Sequence, residues 1–256
     1  DRSRRSILRI VDAGGRGATI PASQSTRLSA LGVGHERSDR GASWWSPEGL
    51  FFVRSARDVN SLQFWDGTLR DVEAGTQRVA AVVREGAGVL VTRDDGRGLD
   101  LFRYARTDLS GPGERLTSTP DEVEHSVTPL PDGRVAVIGT GREGTRLLIV
   151  ERAVRVVALP VAVELLSLAA LADGRLAVWA RAPDRDTYSL LVVDPQTGAT
   201  SSLVGDAYLP PGIAPRPAVS LRSGWIYFVR SEPGRGNPIV RIKPDGRSET
   251  LTLGTR

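Results

Sequence analysis

The sequence contains no cysteine and no methionine, and it has only two histidines among its 256 residues. Without cysteine the chain cannot form disulfides or thiolate metal sites, and this composition fits an exported protein that does without disulfides. No run of about 18 apolar residues is present that could span a membrane as a helix. Because the first residue is Asp, we expect a processed or trimmed chain whose signal peptide is already gone.

Positive charge comes almost entirely from arginine, since Lys243 is the only lysine, and the formal net charge is +4. Two explanations of this bias stay open. A GC-rich genome favours arginine codons, and arginine also offers a planar fork that binds carboxylates and phosphates. No stretch is dense enough in basic residues to form a nucleic-acid-binding arm, so nucleic acid is not an expected partner.

One pattern recurs along the chain: a tight turn that contains glycine, followed by a run of β-branched, aromatic and aliphatic residues. The turn glycines lie at positions 49, 86, 133, 174 and 224, so the steps are 37, 47, 41 and 50 residues. A repeat of about 40–50 residues built from short strands is typical of the blades of a β-propeller.

The repeats predict an all-β fold, a single β-propeller domain over residues 1–256 with four-stranded antiparallel blades. Five full blades are predicted over residues 26–75, 76–118, 119–160, 161–204 and 205–256. Residues 1–25 supply a partial blade, with two strands at 6–12 and 17–21. Because an open propeller exposes unpaired strand edges, we predict a closed ring of six blades. Either the strands at 6–12 and 17–21 add to the last blade, or the other two strands of their blade come from outside this sequence.

Helical periodicity is weak throughout. The segment 161–172 is rich in leucine and alanine, but it stands where the first strand of a blade belongs, so we predict a strand there. The chain also lacks a P-loop, a GxGxxG after a strand and an HExxH sequence. We therefore predict no cofactor, no metal site and no catalytic residue.

Residues 45–49 (WSPEG) and 130–134 (LPDGR) carry the repeat best, and 116–117 (LT) and the turn at 194–198 add to it. In such turns proline fixes φ, and Asp-Gly supplies the corner with positive φ. Over about residues 26–253 the chain resembles the TolB-like propellers, also called WD40-like or PD40 repeats.

This resemblance implies a propeller from a bacterial envelope, periplasmic or secreted, but it leaves several activities open. The family includes the periplasmic component of the Tol–Pal system, a protein-binding scaffold. It also includes propeller domains of prolyl-oligopeptidase-like enzymes and oligogalacturonate lyases. No Gly-x-Ser-x-Gly elbow occurs in this chain, so nothing points to an attached hydrolase domain.

The two histidines, His35 and His125, both precede or begin the first strand of a blade, so we expect them on one face of the ring. Together with nearby acids such as Glu124, they could form a metal or acid–base site with oxygen ligands. The alternative is that both histidines bond to nearby groups in their own loops, since a lyase site of this kind would need more than two histidines.

Arginine recurs near the end of the second strand of a blade, at Arg54, Arg93, Arg181 and Arg230. Equivalent positions in successive blades form a ring, so these side chains could make a cationic rim that binds an anionic ligand. Alternatively, each arginine pairs with an acid of its own blade, and such surface pairs contribute only about 0–1 kcal/mol.

Tryptophan offers one more binding candidate. Trp44 and Trp45 point to opposite faces of an extended strand, so one packs in the core and the other is available to line a channel or stack on a sugar. We include Trp44 among the ligand-binding candidates. Trp179 and Trp225 lie in second strands and are predicted to pack between blades.

Two main functions follow from these residues. The first is a non-catalytic, exported propeller scaffold that binds a protein or peptide partner at one face, alone or as a subunit of a larger assembly. The second is an enzyme or binding module for an acidic glycan, lyase-like, that uses the face lined by histidine and arginine. They differ in whether the candidate side chains converge on one cavity.

Overall fold

The computed structural model describes residues 9–11, 17–19, 27–28, 43–46, 49–56, 59–65, 68–73, 79–86, 88–94, 98–105, 113–209, 217–232 and 237–251. These ranges form strands and turns and contain no helix, so the described part of the chain is all-β. It likewise contains no helix long and apolar enough to cross a membrane. The chain divides into two compact units, Asp1–Glu124 and His125–Arg256.

The first unit contains three groups of antiparallel strands. A hairpin consists of β1 (Arg9–Val11) and β2 (Gly17–Thr19). The next sheet consists of β3 (Arg27–Leu28), β4 (Ser43–Ser46), β5 (Gly49–Ala56), β6 (Val59–Trp65) and β7 (Leu69–Glu73). Its order is β5–β6–β7, and both β3 and β4 pair with β5. The third group, in the order of the chain, consists of β8 (Val79–Glu85), β9 (Gly88–Asp94), β10 (Leu99–Tyr104) and β11 (Glu114–Arg115).

Three four-stranded groups follow, in which neighbours along the chain are neighbours in the sheet. The first consists of β12 (Val123–Pro129), β13 (Val135–Gly141), β14 (Gly144–Val150) and β15 (Val154–Val157). β12 begins in the first unit, where its Val123 pairs in parallel with Leu99 of β10, and the remaining strands lie in the second unit. The second consists of β16 (Glu164–Ala170), β17 (Leu176–Arg181), β18 (Tyr188–Val193) and β19 (Thr200–Ala207). The third consists of β20 (Ala218–Val219), β21 (Ile226–Val229), β22 (Ile239–Ile242) and β23 (Ser248–Leu251).

The prediction of an all-β chain with four-stranded antiparallel units is confirmed. The segment 161–172 contains a strand, β16, as its position indicated. Strand β3 was not predicted; its two residues pair with Arg54 and Ser55 of β5 outside the four-strand pattern. The blade boundaries and the closed ring of six blades stay predictions.

The β16–β19 sheet is buried on both of its faces, which explains its continuous apolar sequences. Along β17, Leu176, Val178 and Ala180 belong to a cluster shared with the β12–β15 sheet. The alternate residues Ala177 and Trp179 belong to a second cluster shared with the β20–β23 sheet. Successive side chains of a strand point to opposite faces, so a strand between two sheets needs apolar residues at every position.

Trp179 lies at the centre of the second cluster, and its predicted place in the core is confirmed. The ring is fully buried and meets Phe228 edge to face, with the ring centroids 5.3 Å apart. The same prediction for Trp225 was wrong. This side chain is only half-buried, and the cations of Arg241 and Lys243 lie over its ring. It is the first residue before β21, where the sheet no longer covers it.

The Asp-Gly turn has the geometry that its sequence predicts. In the turn between β12 and β13, Gly133 has a φ of 87°, and the Leu130 amide donates to the Arg134 carbonyl at 2.7 Å. The Asp132 carboxylate accepts from the Arg134 amide at 3.1 Å and from its Nε at 2.8 Å. The same arrangement recurs at residues 171–175 and 243–247.

Side-chain hydroxyls join the β12–β15 sheet to β16. Ser126 Oγ accepts the Leu168 amide at 2.9 Å, and Thr128 Oγ1 accepts the Ala170 amide at 3.3 Å. β16 is the first strand of its own sheet, so hydroxyls of the preceding sheet satisfy amides along its outer edge. These bonds hold the two sheets in one register.

Candidate functional site

A cleft opens in the second unit where β14 begins and the chain leaves β15. Its volume is about 390 Å³. It is lined by residues 143–147, 156–157, 159, 161–165 and 183. Most of the lining is aliphatic, and none of it is aromatic. We call this space the cleft.

The cleft exists because β15 is short. β15 pairs with β14 from Val150 to Leu147 and ends at Val157, whereas β14 begins three residues earlier, at Gly144. The chain then leaves the sheet through Pro160, which lacks the N–H that a longer strand would need for its ladder. It enters the next sheet at Glu164, the first residue of β16. Thr145 Oγ1 accepts the Leu165 amide at 2.6 Å and so ties the start of β14 to β16.

Among the predicted arginines whose side chains the structure describes, Arg181 is connected to the cleft through its partner Glu164, which belongs to the lining. Two guanidinium nitrogens of Arg181 contact the same carboxylate oxygen: Nε lies 2.9 Å and Nη2 2.5 Å from Glu164 Oε2. The hydrogen bonds that Arg181 donates to Glu164, together with the negative charge of Glu164, raise the pKa of the guanidinium, so the arginine stays charged. Its partner is therefore an acid of its own sheet, across β16 and β17.

The other described arginine candidates also have contacts within their own sheets. Arg230 follows β21, and its Nε donates to Glu232 Oε1 at 3.1 Å. Arg93 lies near the end of β9, with its guanidinium carbon 4.5 Å from the centre of the Phe102 ring and 5.6 Å from that of Tyr104. Arg181 and Arg230 thus pair with nearby acids, as in the alternative to the cationic rim, whereas Arg93 lies over aromatic rings.

His125 lies on β12, where its Nε2 is 2.9 Å from Thr140 Oγ1 of the neighbouring β13. The acid beside it, Glu124, is fully buried. Successive residues of a strand point to opposite faces, so Glu124 and His125 do not share a site. Within the described ranges no group of three His, Cys, Asp or Glu residues could hold a metal ion.

Three predicted site residues lie, wholly or with their side chains, outside the described part of the chain. His35 lies outside the described residues. Trp44 lies in β4 and Arg54 in β5, but their side chains are outside the description. Their roles as ligand-binding residues stay predictions.

A buried polar cluster lies in the first unit, and the sequence did not reveal it as a cluster. The Glu124 carboxylate accepts from Thr117 Oγ1 at 2.6 Å and from Thr119 Oγ1 at 2.8 Å. A second buried acid, Asp100, accepts the Thr119 amide at 3.0 Å and pairs with Arg115. The one sequence feature that pointed to this cluster is the Leu-Thr pair of the repeat at residues 116–117. Thr117 Oγ1 also accepts the Leu101 amide at 2.8 Å, so this threonine connects Glu124 to β10.

Burial raises the pKa of Glu124 from 4.5 to about 7, because the charged form loses its solvation. The hydroxyls of Thr117 and Thr119 oppose this rise by stabilising the carboxylate, and the negative charge of Asp100 adds to it. The one arginine of the cluster, Arg115, pairs with Asp100. The cluster is therefore an acid pair with a single cation.

Comparisons with known proteins show likeness in structure but not in sequence. No protein-family model matches the chain, and no curated protein does. Among solved structures, TolB from Acinetobacter baumannii matches with a TM-score of 0.70 at 16% identity, over 97% of this chain and 60% of that one. The chain thus spans less than two thirds of that TolB.

Two structures with enzyme names also match. A puromycin hydrolase matches with a TM-score of 0.61 at 16% identity, over 96% of this chain and 50% of that one. Virginiamycin B lyase from Staphylococcus aureus matches with a TM-score of 0.55 at 16% identity, over 84% of this chain and 70% of that one. At these identities only the fold is shared. The chain therefore has a TolB-like, β-propeller-type fold of four-stranded antiparallel units.

Proposed function

We propose that this protein is a non-catalytic β-propeller scaffold of six blades that binds a protein or peptide partner at one face. The observation that carries this proposal is the cleft, which is open, mostly aliphatic and free of aromatic rings. Aliphatic pockets suit the side chains of a peptide, whereas sugars are commonly held by stacking on aromatic rings and by dense hydrogen bonding.

The charges at the cleft support a peptide partner over an acidic glycan. The predicted rim residue Arg181 is already bound to Glu164 of the lining, and both side chains are about 40% exposed. An acidic polymer would have to break this pair or accept a neutralised cation. We propose further that the protein works in the periplasm or outside the cell, in keeping with its lack of cysteine.

The test exposes the purified chain to two kinds of ligand. An array of random peptides should give saturable binding, and polygalacturonate, an acidic glycan, should give neither binding nor cleavage products. The double variant Arg181→Gln/Glu164→Gln should leave peptide binding within about twofold, because it removes two charges that neutralise each other. Saturable binding or cleavage of polygalacturonate, weakened by Arg181→Gln, would overturn the proposal in favour of a glycan-directed protein.

A further inference from the structure

The start of β14 is a strand edge that the neighbouring strand does not reach. β13 pairs with β14 along its whole length, from Val135 with Val150 to Gly141 with Gly144. On its other side, β15 ends at Val157, opposite Leu147. The first part of β14 is therefore held firmly on one side and borders the cleft on the other.

The next sheet shows what a full outer strand looks like. There β19 pairs with β18 from Val193 with Thr200 as far as Tyr188 with Ala207, so it reaches the first residue of β18. In the β12–β15 sheet the corresponding space is the cleft. A strand-shaped gap in line with β15 suits an added strand, because main-chain hydrogen bonds can continue the ladder.

The wall of the cleft includes an apolar segment that the fold covers only in part. The five residues 159–163 are all apolar; Leu159 and Val163 pack against the core cluster, whereas residues 160–162 are exposed. Val161 is 48% exposed, and Val156 on the other side of the cleft is 49% exposed. Consecutive exposed aliphatic residues beside a cleft are unusual on a surface that contacts only water, and they mark interaction sites.

An exposed arginine stands at the tip of the hairpin between β13 and β14, beside the mouth of the cleft. It is Arg142, which follows β13 and precedes Glu143, a residue of the lining. Glu164, the other acid of the lining, is neutralised by Arg181. A ligand with a carboxylate beside the hairpin tip is thus favoured over one with a cation there.

From this geometry we propose that the cleft receives an extended segment of a partner protein, which adds a strand to the start of β14. An aliphatic side chain of the segment packs against Val156 and Val161, and a carboxylate lies beside Arg142. This inference rests on the proposed function and names the chemistry of the partner.

The probe is a short fluorescent peptide of alternating valine and aspartate, whose binding to the full chain is followed by fluorescence anisotropy. In an extended strand this sequence places its valines on one face and its carboxylates on the other. Val161→Asp should weaken binding roughly tenfold or more, because it puts a carboxylate against the apolar segment. The matched control is Val154→Asp, an exposed β15 residue outside the lining, which should bind within about twofold of the wild type.

Two further probes test the strand and the charge. The same peptide with alternate amides methylated cannot continue a ladder and should lose binding, and a version with lysine in place of aspartate should bind more weakly.

If Val161→Asp binds the probe as tightly as Val154→Asp does, the cleft is not the site, although peptide binding and the proposed function survive. If neither the probe nor a random peptide array binds, both proposals fail. A concentration-dependent dimer that Val161→Asp dissociates would identify a second copy as the occupant and overturn the partner peptide.

Discussion

Glu124 should make the protein less stable as the pH rises through neutrality. Its side chain is fully buried, and within the described part of the chain its side-chain partners are the hydroxyls of Thr117 and Thr119 and not a cation. In the unfolded chain its carboxyl titrates near 4.5, and in the folded chain near 7. Each pKa unit corresponds to about 1.36 kcal/mol, so the difference amounts to about 3 kcal/mol.

The sign follows from the direction of the shift. Because the folded pKa lies above the unfolded one, the folded state holds the proton more tightly. The resulting stability is fully present below about pH 4.5 and decreases as the pH approaches 7, and it is lost above that value. Acids such as Asp132 and Asp245 have pKa values that are lowered by hydrogen bonds from Arg134 and Arg247. Their contribution to stability therefore changes with pH in the opposite direction, because it is lost as the pH falls.

The variant Glu124→Gln isolates this effect, because glutamine has nearly the same shape and never becomes charged. Urea denaturation of both proteins at several pH values gives the difference in unfolding free energy. We expect the variant to gain about 3 kcal/mol relative to the wild type between pH 4.5 and pH 8. Glu143→Gln, at an exposed hairpin tip, is the matched control. A difference between Glu124→Gln and the wild type that does not change with pH would refute the reasoning.

Three further predictions concern stability. Trp179→Ala should lower the unfolding free energy by about 3–5 kcal/mol, because it empties a fully buried site against Phe228, and calorimetry would show a matching fall in Tm. Gly133→Ala should cost about 1 kcal/mol in denaturant unfolding, since its φ of 87° suits glycine alone; an unchanged midpoint would contradict this. A double-mutant cycle on Arg181 and Glu164 should give a coupling of about 0.2–1 kcal/mol, because both side chains are partly exposed, and a larger value would show a tighter pair than the structure has.

Local sequence predicts the strands and turns well because their causes are local. A tight turn with glycine at a positive φ is encoded within five residues, as at Gly133 and Gly174. The apolar run of β17 likewise indicates a strand covered on both faces. These features depend on neighbours a few positions away, so the repeat could be divided into its strands from the sequence alone.

The site was harder to predict because its causes lie far apart in the chain. Glu124 is buried by contacts with Thr117, Thr119 and the region of Asp100, and no short pattern reveals that packing. The cleft depends likewise on where β15 ends, at Val157 opposite Leu147, three residues after β14 begins. No composition or spacing rule fixes that end.

Two hydrogen bonds between neighbouring sheets of the second unit would show when these sheets move apart. The Leu168 and Ala170 amides donate to Ser126 and Thr128 of the preceding sheet, and not to a strand of their own. Their protons can therefore exchange with solvent while the β16–β19 ladder stays intact, as soon as the two sheets move apart. Exchange at these two amides thus measures slippage between sheets separately from fraying within one.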